Sequence, residues 1–525
     1  MKVFHLLLFF LILASLSLQA QIKVSTDFES GSLEDYELLD SLSIATSSET
    51  TIPIYSILLI SRFDPKNPVD TSLRPSAMWY YFRLEGVKNK FLFLRIQRSQ
   101  VPRPFYSYNG EDFFRFDEGE NFARGMLSKY FTEDSVYIAP FIPYTMTRLH
   151  NKIQEWDTND FVSVSEIGQS GENRAMQMLI ITDTSIDDNK KKLVWIHGRA
   201  HPSESPCTYH LESLIDLITS KCELAKELRK QVVFYIVPII NPDGVFGGFS
   251  RSSSNGVNVE INWDRPDSLT NPEVKVLKST INDLSSTKPF ELLLNMHSQR
   301  DNFVSYWIHT AESTSKKFLK KEMLLSSLTM DDDRLLYRPE DQRYSDLKPQ
   351  YVEGQTWERV QDTTLAITFE TPYTFYKEDK DGQWVSLQNL KILAENSFHA
   401  ICDYLNIKNS QRVVIDNPTK ANKSFTKISE PDKIFFGDDY FVANKKGIKI
   451  TYSFNNLQKG TYNIYRWLPG VTIEKSEPEA SGQWVKYRTH NQKKDGKFTY
   501  TITSAFVGEI FDAIQLRFKS NPTDK

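Results

Sequence analysis

The order of strand-like and helix-like segments predicts an α/β domain flanked in the chain by two β-rich domains. Between residues 141 and 408, short apolar runs alternate with stretches of helical periodicity, a pattern typical of a mixed, mainly parallel sheet covered by helices. Residues 21–140 and 409–525 instead carry closely spaced strand patterns separated by turn residues, which predict an N-terminal and a C-terminal β-sandwich domain. Residues 1–20 form a separate targeting segment.

The composition of the 525 residues is that of a globular protein. Hydrophobic residues make up 40% and charged residues 25% of the chain, which are ordinary values. The formal net charge of the chain is -4. Since the chain has no excess of positive charge to attract a polyanion, we expect no nucleic-acid partner. Three cysteines in so long a chain exclude a disulfide scaffold, and we expect buried thiols at Cys207, Cys222 and Cys402.

The amino terminus has the layout of a cleaved signal peptide. Lys2 supplies a short positive region, residues 6–18 form an apolar run, and Leu-Gln-Ala at residues 18–20 offers a small-residue cleavage site. The run is short for a membrane span, although an uncleaved amino-terminal anchor is the alternative. No later stretch is long and apolar enough to cross a bilayer. We therefore predict a secreted or periplasmic protein without a transmembrane span after signal cleavage.

The strongest chemical signal follows a predicted buried strand at residues 192–196. It places His201 and Glu204 in His-x-x-Glu spacing, just before a segment of helical periodicity at residues 205–220. An imidazole and a carboxylate three residues apart can reach one metal ion where a turn opens a helix. Two histidines with one glutamate are a known catalytic zinc set. The motif alone is weak, because a surface His-x-x-Glu often arises by chance.

Further polar motifs follow the next predicted strands of the same domain. They are Asn-Pro-Asp-Gly at residues 241–244 with Arg251 after it, His297 after residues 291–296, and Glu370 after residues 365–369. Open α/β sheets gather their functional side chains at the carboxyl ends of the strands. We therefore expect these residues to lie along one edge of the sheet.

This ordered set of motifs resembles the zinc carboxypeptidase family, and most of all its cytosolic carboxypeptidase branch. The resemblance implies an eight-stranded mixed sheet and one zinc ion per chain, held by His201, Glu204 and His297. It implies that Glu370 is the general base for the attacking water and that Arg251 polarises the scissile carbonyl. The implied activity is zinc-dependent hydrolysis of a peptide or amide bond in a peptide or peptide-like substrate.

One stretch departs from the family's pattern. Where the family has Asp-x-Asn-Arg, whose last two residues hold the substrate's terminal carboxylate, residues 258–261 read Asn-Val-Glu-Ile. An isoleucine cannot replace a guanidinium that binds a carboxylate through two hydrogen bonds, and Glu260 would repel that carboxylate. Either Arg265 or Arg300 supplies the cation from another place, or the substrate lacks a free α-carboxylate, as in a cell-wall or glycan-linked peptide. A simpler alternative is that Glu260 only pairs with Arg265.

Two further expectations concern contacts with other molecules. The family tyrosine that covers the substrate has Tyr351 as its nearest match and Tyr344 as the second, with an ordinary packing role as the alternative. The C-terminal domain is a candidate surface for carbohydrate or cell-surface contact. That surface leaves open a zinc-binding or glycan-binding protein without catalysis, although the presence of both Glu370 and Arg251 favours an enzyme.

Overall fold

The computed structural model describes residues 21–45, 51–68, 74–301, 304–329, 343–376, 383–407, 409, 411–421, 423–429, 433–437, 439–471 and 482–520. The predicted targeting segment, residues 1–20, lies outside them. Among the described residues, no helix combines the length and apolar character that a membrane crossing requires. The chain divides into two compact units, the first made of residues 1–147, 201–205 and 241–258, and the second of residues 148–200, 206–240 and 259–525.

The amino-terminal region of the first unit is a β-sandwich. Its strands are β1 (Lys23–Ser25), β2 (Asp35–Ala45), β3 (Thr51–Ile60), β4 (Phe82–Glu85), β5 (Lys90–Gln97), β6 (Phe105–Ser107), β7 (Phe114–Arg115), β8 (Asn121–Ala123), β9 (Met126–Phe131) and β10 (Ser135–Ala139). They form two five-stranded sheets, in the orders β1-β4-β10-β6-β7 and β2-β3-β5-β9-β8. Every second side chain of β5 is buried, and residues of both sheets, such as Phe82, Leu94 and Ile138, share one apolar core.

Helices and strands alternate in the next part of the chain. The elements are α1 (Met146–Trp156), β11 (Val162–Gln169), β12 (Ala175–Ile181), β13 (Lys192–Gly198), α2 (Ser205–Thr219), α3 (Glu223–Gln231), β14 (Val232–Val237), α4 (Pro242–Phe246), α5 (Pro272–Leu284), β15 (Leu292–Gln299), β16 (Ser305–His309), α6 (Lys316–Thr329), β17 (Arg343–Ser345), α7 (Val352–Val360), β18 (Leu365–Pro372), β19 (Phe375–Tyr376), β20 (Gln383–Trp384) and α8 (Leu387–Tyr404). Short 3-10 turns cover Glu118–Glu120, Asp188–Lys190, Asp267–Leu269 and Gln361–Thr363.

Eight of these strands form one sheet in the order β11-β12-β14-β13-β15-β18-β16-β17. The central strands β14, β13, β15 and β18 are parallel to one another, and antiparallel pairs join β11 to β12, β12 to β14, and β16 to β18. Strands β15 and β18 are buried over their whole length, as expected where helices cover both faces of a sheet. The predicted mixed, mainly parallel eight-stranded sheet is therefore confirmed.

The carboxyl-terminal region is β-rich, as predicted. Its strands are β21 (Arg412–Ile415), β22 (Phe425–Ile428), β23 (Lys433–Ile434), β24 (Tyr440–Ala443), β25 (Lys449–Leu457), β26 (Gly460–Leu468), β27 (Gly470–Val471), β28 (Gln483–Gln492), β29 (Gly496–Thr503), β30 (Ile510–Phe511) and β31 (Ile514–Ser520). Arg412 of β21 binds the Asp403 carboxylate of α8 through two hydrogen bonds of 2.8 and 2.6 Å. Since both side chains are buried, this ion pair fixes β21 against the last helix.

The cysteines differ from the prediction at one position. Cys207 and Cys402 are buried thiols, as expected, but Cys222 is exposed. The expectation was wrong for Cys222 because this residue caps α3, where its sulfur accepts a hydrogen bond from the Ala225 amide. A residue at the amino-terminal cap of a surface helix stays close to solvent.

A buried histidine makes the stability of the second unit depend on pH. His210 of α2 is fully buried and lies 3.0 Å from the Ser397 hydroxyl. Burial lowers the pKa of His210 to about 3, from an ordinary value of 6.5. The folded state therefore disfavours the protonated imidazole, so the stability that the neutral ring contributes is present above pH 6.5 and is lost as the pH falls toward 3.

We expect His210→Asn to flatten the acid side of the stability profile. Urea denaturation at each pH should show that the wild-type free energy of unfolding falls more steeply than that of the variant, by about 1.4 kcal/mol per pH unit below the ordinary histidine pKa. The matched control is His150→Asn, at an exposed position of α1, which should keep the wild-type slope. Equal slopes in His210→Asn and the wild type would contradict the assignment.

Candidate active site

The carboxyl ends of neighbouring parallel strands form the candidate site. Strand β13 pairs with β15 so that Gly198 lies opposite Met296, and β15 pairs with β18 so that His297 lies opposite Glu370. The His297 and Glu370 side chains are 1% and 9% exposed. The sheet thus brings the second predicted histidine ligand next to the predicted base, at the edge where α/β sheets collect functional residues.

The turn after β13 carries His201 and Glu204. Arg199 begins the turn with a φ of 63°, and its buried guanidinium donates a 3.0 Å hydrogen bond to the Thr208 hydroxyl. Nδ1 of His201 lies 2.7 Å from Oε1 of Glu204, and both side chains are buried. The His-x-x-Glu spacing therefore directs a nitrogen and a carboxylate oxygen to one point within a single turn.

The Asn-Pro-Asp-Gly motif begins a helix, and its side chains have a structural role. The Asn241 side chain caps α4 by accepting a 3.0 Å hydrogen bond from the Gly244 amide, and Pro242 occupies the first helical turn, where its missing N–H costs nothing. A Cβ at Gly244 would lie 2.3 Å from Pro202. Only glycine allows this approach, so the motif keeps its loop against the turn that carries His201.

The side chains gathered here fit a zinc ion. His201, Glu260 and His297 each offer one ligand atom, and these atoms lie within 4.8 Å of one another. Imidazole nitrogens and a carboxylate oxygen are the donors that catalytic zinc takes from proteins. Glu260 belongs to this group although it was not among the predicted zinc ligands. The predicted ligand Glu204 contacts the group through its hydrogen bond with His201.

Trp307 orients the predicted base. Its indole Nε1 donates a 3.1 Å hydrogen bond to Oε1 of Glu370. Trp307 lies on β16, which runs antiparallel to β18 with Ser305 opposite Glu370. The sequence analysis missed this residue, because the contact exists only through strand pairing. An aromatic residue in a short apolar strand was the only signal in the sequence.

A pocket of the second unit unites two of the predicted substrate-binding residues. Its lining includes Glu260, Trp307, His309, Lys348, Tyr351 and Glu353. Since Trp307 also contacts Glu370, the pocket adjoins the predicted base. The pocket contains carboxylates together with Lys348 and an imidazole, so it offers charges of both signs to a ligand.

The other predicted substrate-binding residues lie elsewhere. Arg300 is exposed and Arg265 partly so, and neither lines this pocket. The pairing of Glu260 with Arg265 stays an alternative. The Tyr344 hydroxyl donates to the Met323 sulfur at 3.6 Å, a packing contact away from the pocket.

The pocket imidazole is held by a buried carboxylate that the sequence analysis did not identify. Nδ1 of His309 lies 2.6 Å from Oε1 of Glu322, and the His309 amide donates to the other oxygen at 2.9 Å. Burial lowers the pKa of His309, but the Glu322 charge outweighs it, so the pKa lies above its ordinary value. The Glu322 contact therefore favours a positively charged imidazole beside Glu260.

The fold and the donor set define a class, the α/β metallohydrolases. Residues 149–387 match the profile described as zinc carboxypeptidase, so the chain contains a domain similar to that family. The chain is 30% identical over 199 residues to cytosolic carboxypeptidase 6 of Mus musculus, a match that covers 36% of this chain and 37% of the relative. The Homo sapiens protein of the same name is 30% identical over 199 residues, covering 36% and 40%.

Solved structures agree with this assignment at the level of the fold. The metallo-carboxypeptidase from Burkholderia cenocepacia has a TM-score of 0.59 and 20% identity, over 73% of this chain and 99% of that one. The predicted fold is confirmed, and the predicted zinc carboxypeptidase resemblance and zinc cofactor are confirmed by the profile match and by the His/Glu/His group. The chain spans less than half the length of these two cytosolic carboxypeptidases.

The predicted location was wrong. We expected a secreted or periplasmic protein, but the relatives that the chain matches are named cytosolic carboxypeptidases. The expectation depended on the apolar run at residues 6–18 and on one small-residue site after it. A short apolar run has little specificity, because its composition alone carries the signal.

We expect the purified protein to hold about one zinc ion per chain, measured by mass spectrometry of the metal after dialysis. His297→Ala should lose most of this zinc, because it removes one imidazole donor from the group. The exposed His150→Asn serves as the control and should retain the wild-type content. Full zinc occupancy in His297→Ala would exclude His297 as a ligand.

Proposed function

We propose that the protein is a zinc-dependent hydrolase of peptide or amide bonds, with zinc held by His201, Glu204 and His297 and with Glu260, a further donor of the same group, next to the metal. The observation that carries the proposal is the register of β15 and β18, in which His297 and Glu370 are neighbours at the carboxyl edge of the sheet. Bound zinc would supply Lewis-acid chemistry and would make water a nucleophile at neutral pH.

Glu370 acts as the general base in this proposal. Its carboxylate takes a proton from the attacking water and then gives that proton to the leaving nitrogen. The Trp307 indole holds Oε1 of Glu370 through the 3.1 Å hydrogen bond, which restricts the rotation of the carboxylate. A fixed orientation matters because proton transfer requires the base within hydrogen-bond reach of the water.

Arg251 stabilises the charge on the substrate carbonyl oxygen. The residue lies in the loop after α4 and is exposed, which suits a group that contacts substrate. A fixed donor to the developing oxyanion contributes about 3–4 kcal/mol to lowering the barrier.

Replacing the base tests the mechanism most directly. We expect Glu370→Gln to lower kcat by about 10²–10⁴-fold, because the amide cannot accept the proton, while the zinc content stays at the wild-type level. Glu291→Gln, just before the amino end of β15, is the matched control and should retain activity. Wild-type turnover in Glu370→Gln would refute the assigned role.

A second candidate function is that of an amidase or deacylase whose substrate lacks a free α-carboxylate, such as a cell-wall or glycan-linked peptide. The supporting observation is Glu260 in the pocket beside Tyr351, where a terminal carboxylate would meet a second negative charge. His309 and Lys348 line the same pocket and are the better candidates for an anchoring cation than Arg265 or Arg300. The two functions therefore differ in which charge has the larger effect on a substrate's terminal carboxylate: the negative charge of Glu260, which repels it, or the positive charges of His309 and Lys348, which attract it.

Peptides that differ only in a free or an amidated carboxyl terminus separate the two functions. If Glu260 dominates, the wild type should prefer the amidated peptide, and Glu260→Gln should raise kcat/KM on the free peptide by about 10-fold. Asp346→Asn, an exposed pocket acid, is the control and should change the ratio little. Zinc content is measured in each variant. Turnover confined to free carboxyl termini in the wild type would eliminate the second candidate.

The predicted carbohydrate or cell-surface contact of the carboxyl-terminal region stays a prediction. The same holds for a zinc-binding or glycan-binding function without catalysis. The presence of both Glu370 and Arg251 supports the hydrolase instead. Tight glycan binding together with no turnover across a broad panel of peptides and amides would favour the binding protein.

A further inference from the structure

A single carboxylate holds the backbone of the loop that carries Arg251. The amide of Ser250 donates to Oδ1 of Asp64 at 2.6 Å, and the amides of Arg251 and Ser252 donate to Oδ2 at 2.8 and 3.2 Å. Asp64 is 6% exposed. Hydrogen bonds from N–H groups to a buried, ionised acceptor are among the stronger ones in proteins. Three consecutive peptide planes are therefore fixed by one side chain.

Neighbours of Asp64 hold the same loop from both sides. The Arg62 guanidinium donates to the carbonyl oxygens of Gly247 and Gly248 at 2.5 and 3.0 Å. The Trp79 amide donates to the Ser250 hydroxyl at 2.9 Å. All of these residues belong to the first compact unit. The amino-terminal region thus acts as a template, in that its residues fix the backbone of this loop through hydrogen bonds.

The loop needs such a template because it is irregular. Residues 247–258 form no helix or strand, so the amides of Ser250 to Ser252 have no secondary-structure acceptors. Buried amides must find an acceptor, and Asp64 takes that place. Since Arg251 is exposed, the direction of its backbone sets the region that its guanidinium reaches.

We propose that Asp64 is a positioning residue for Arg251, and that the amino-terminal region takes part in catalysis through this contact. The inference rests on the proposed function, in which Arg251 stabilises the charge on the carbonyl oxygen. Asp64 itself does not touch the substrate. A misplacement of a catalytic group by about 1 Å can cost about 100-fold in rate, so an intact Asp64 should matter even at a distance from the scissile bond.

A double-mutant cycle on the zinc-loaded full chain tests the proposal. Asp64→Asn removes the charge and one acceptor, and it should lower kcat/KM by about 10–100-fold, mainly through kcat, with zinc retained. In the Arg251→Ala background, Asp64→Asn should cause little further loss, because the group that it positions is already absent. Asp112→Asn, an exposed acid of the same region, should leave kcat unchanged. Additive losses in the cycle would overturn the proposal.

Hydrogen exchange separates this inference from the proposed function. The amides of residues 250–252 should exchange slowly in the wild type and faster in Asp64→Asn. A hydrolase whose kcat/KM is unchanged in Asp64→Asn despite faster exchange would overturn the inference and leave the proposed function intact. A wild type without turnover would refute the proposed function and with it the effect of Asp64 on catalysis. Slow exchange of these amides would in that case show only that Asp64 holds the loop.

A second variant keeps the proposal testable if Asp64→Asn does not fold. Asp64→Glu keeps the charge and moves the carboxylate by one methylene. It should lower kcat/KM less than Asp64→Asn and should again add little to Arg251→Ala. Additive behaviour of this variant would overturn the proposal in the same way.

Discussion

The parallel register of β15 and β18 is the constraint on which the rest of the site depends. It fixes His297 opposite Glu370, and the hydrogen bonds of both strands hold that pairing. A shift of one residue in either strand would turn one of the two side chains to the other face of the sheet. Because both strands are buried throughout, such a shift would also force the side chains on both faces of the sheet to repack, so the packing of the sheet protects this register.

The segment from Asn241 to Ser252 is held by side-chain hydrogen bonds and close packing. The Asn241 cap and the close approach of Gly244 to Pro202 fix the start of α4. The Asp64 carboxylate then fixes the following loop at Arg251. Both devices supply acceptors for amides that would otherwise lack them. The backbone at Arg251 is thereby fixed although its loop is irregular.

The pocket beside Glu370 combines aromatic walls with charges of both signs. Trp307 and Tyr351 supply aromatic walls, while Glu260 introduces a negative charge. His309, held by Glu322 at 2.6 Å, supplies a counter-charge from another strand. The pocket therefore places a cation from β16 beside the Glu260 carboxylate.

The sequence by itself determined the resemblance to the zinc carboxypeptidases, the sheet and the order of the polar motifs along the chain. These features leave local signals, because buried strands are apolar runs and a His-x-x-Glu turn has fixed spacing. Only the tertiary structure decided that Trp307 contacts Glu370 and that Asp64 holds the loop of Arg251. Such contacts join residues far apart in the chain, and no periodicity or spacing records them, because side-chain partners are chosen by the packing of whole elements.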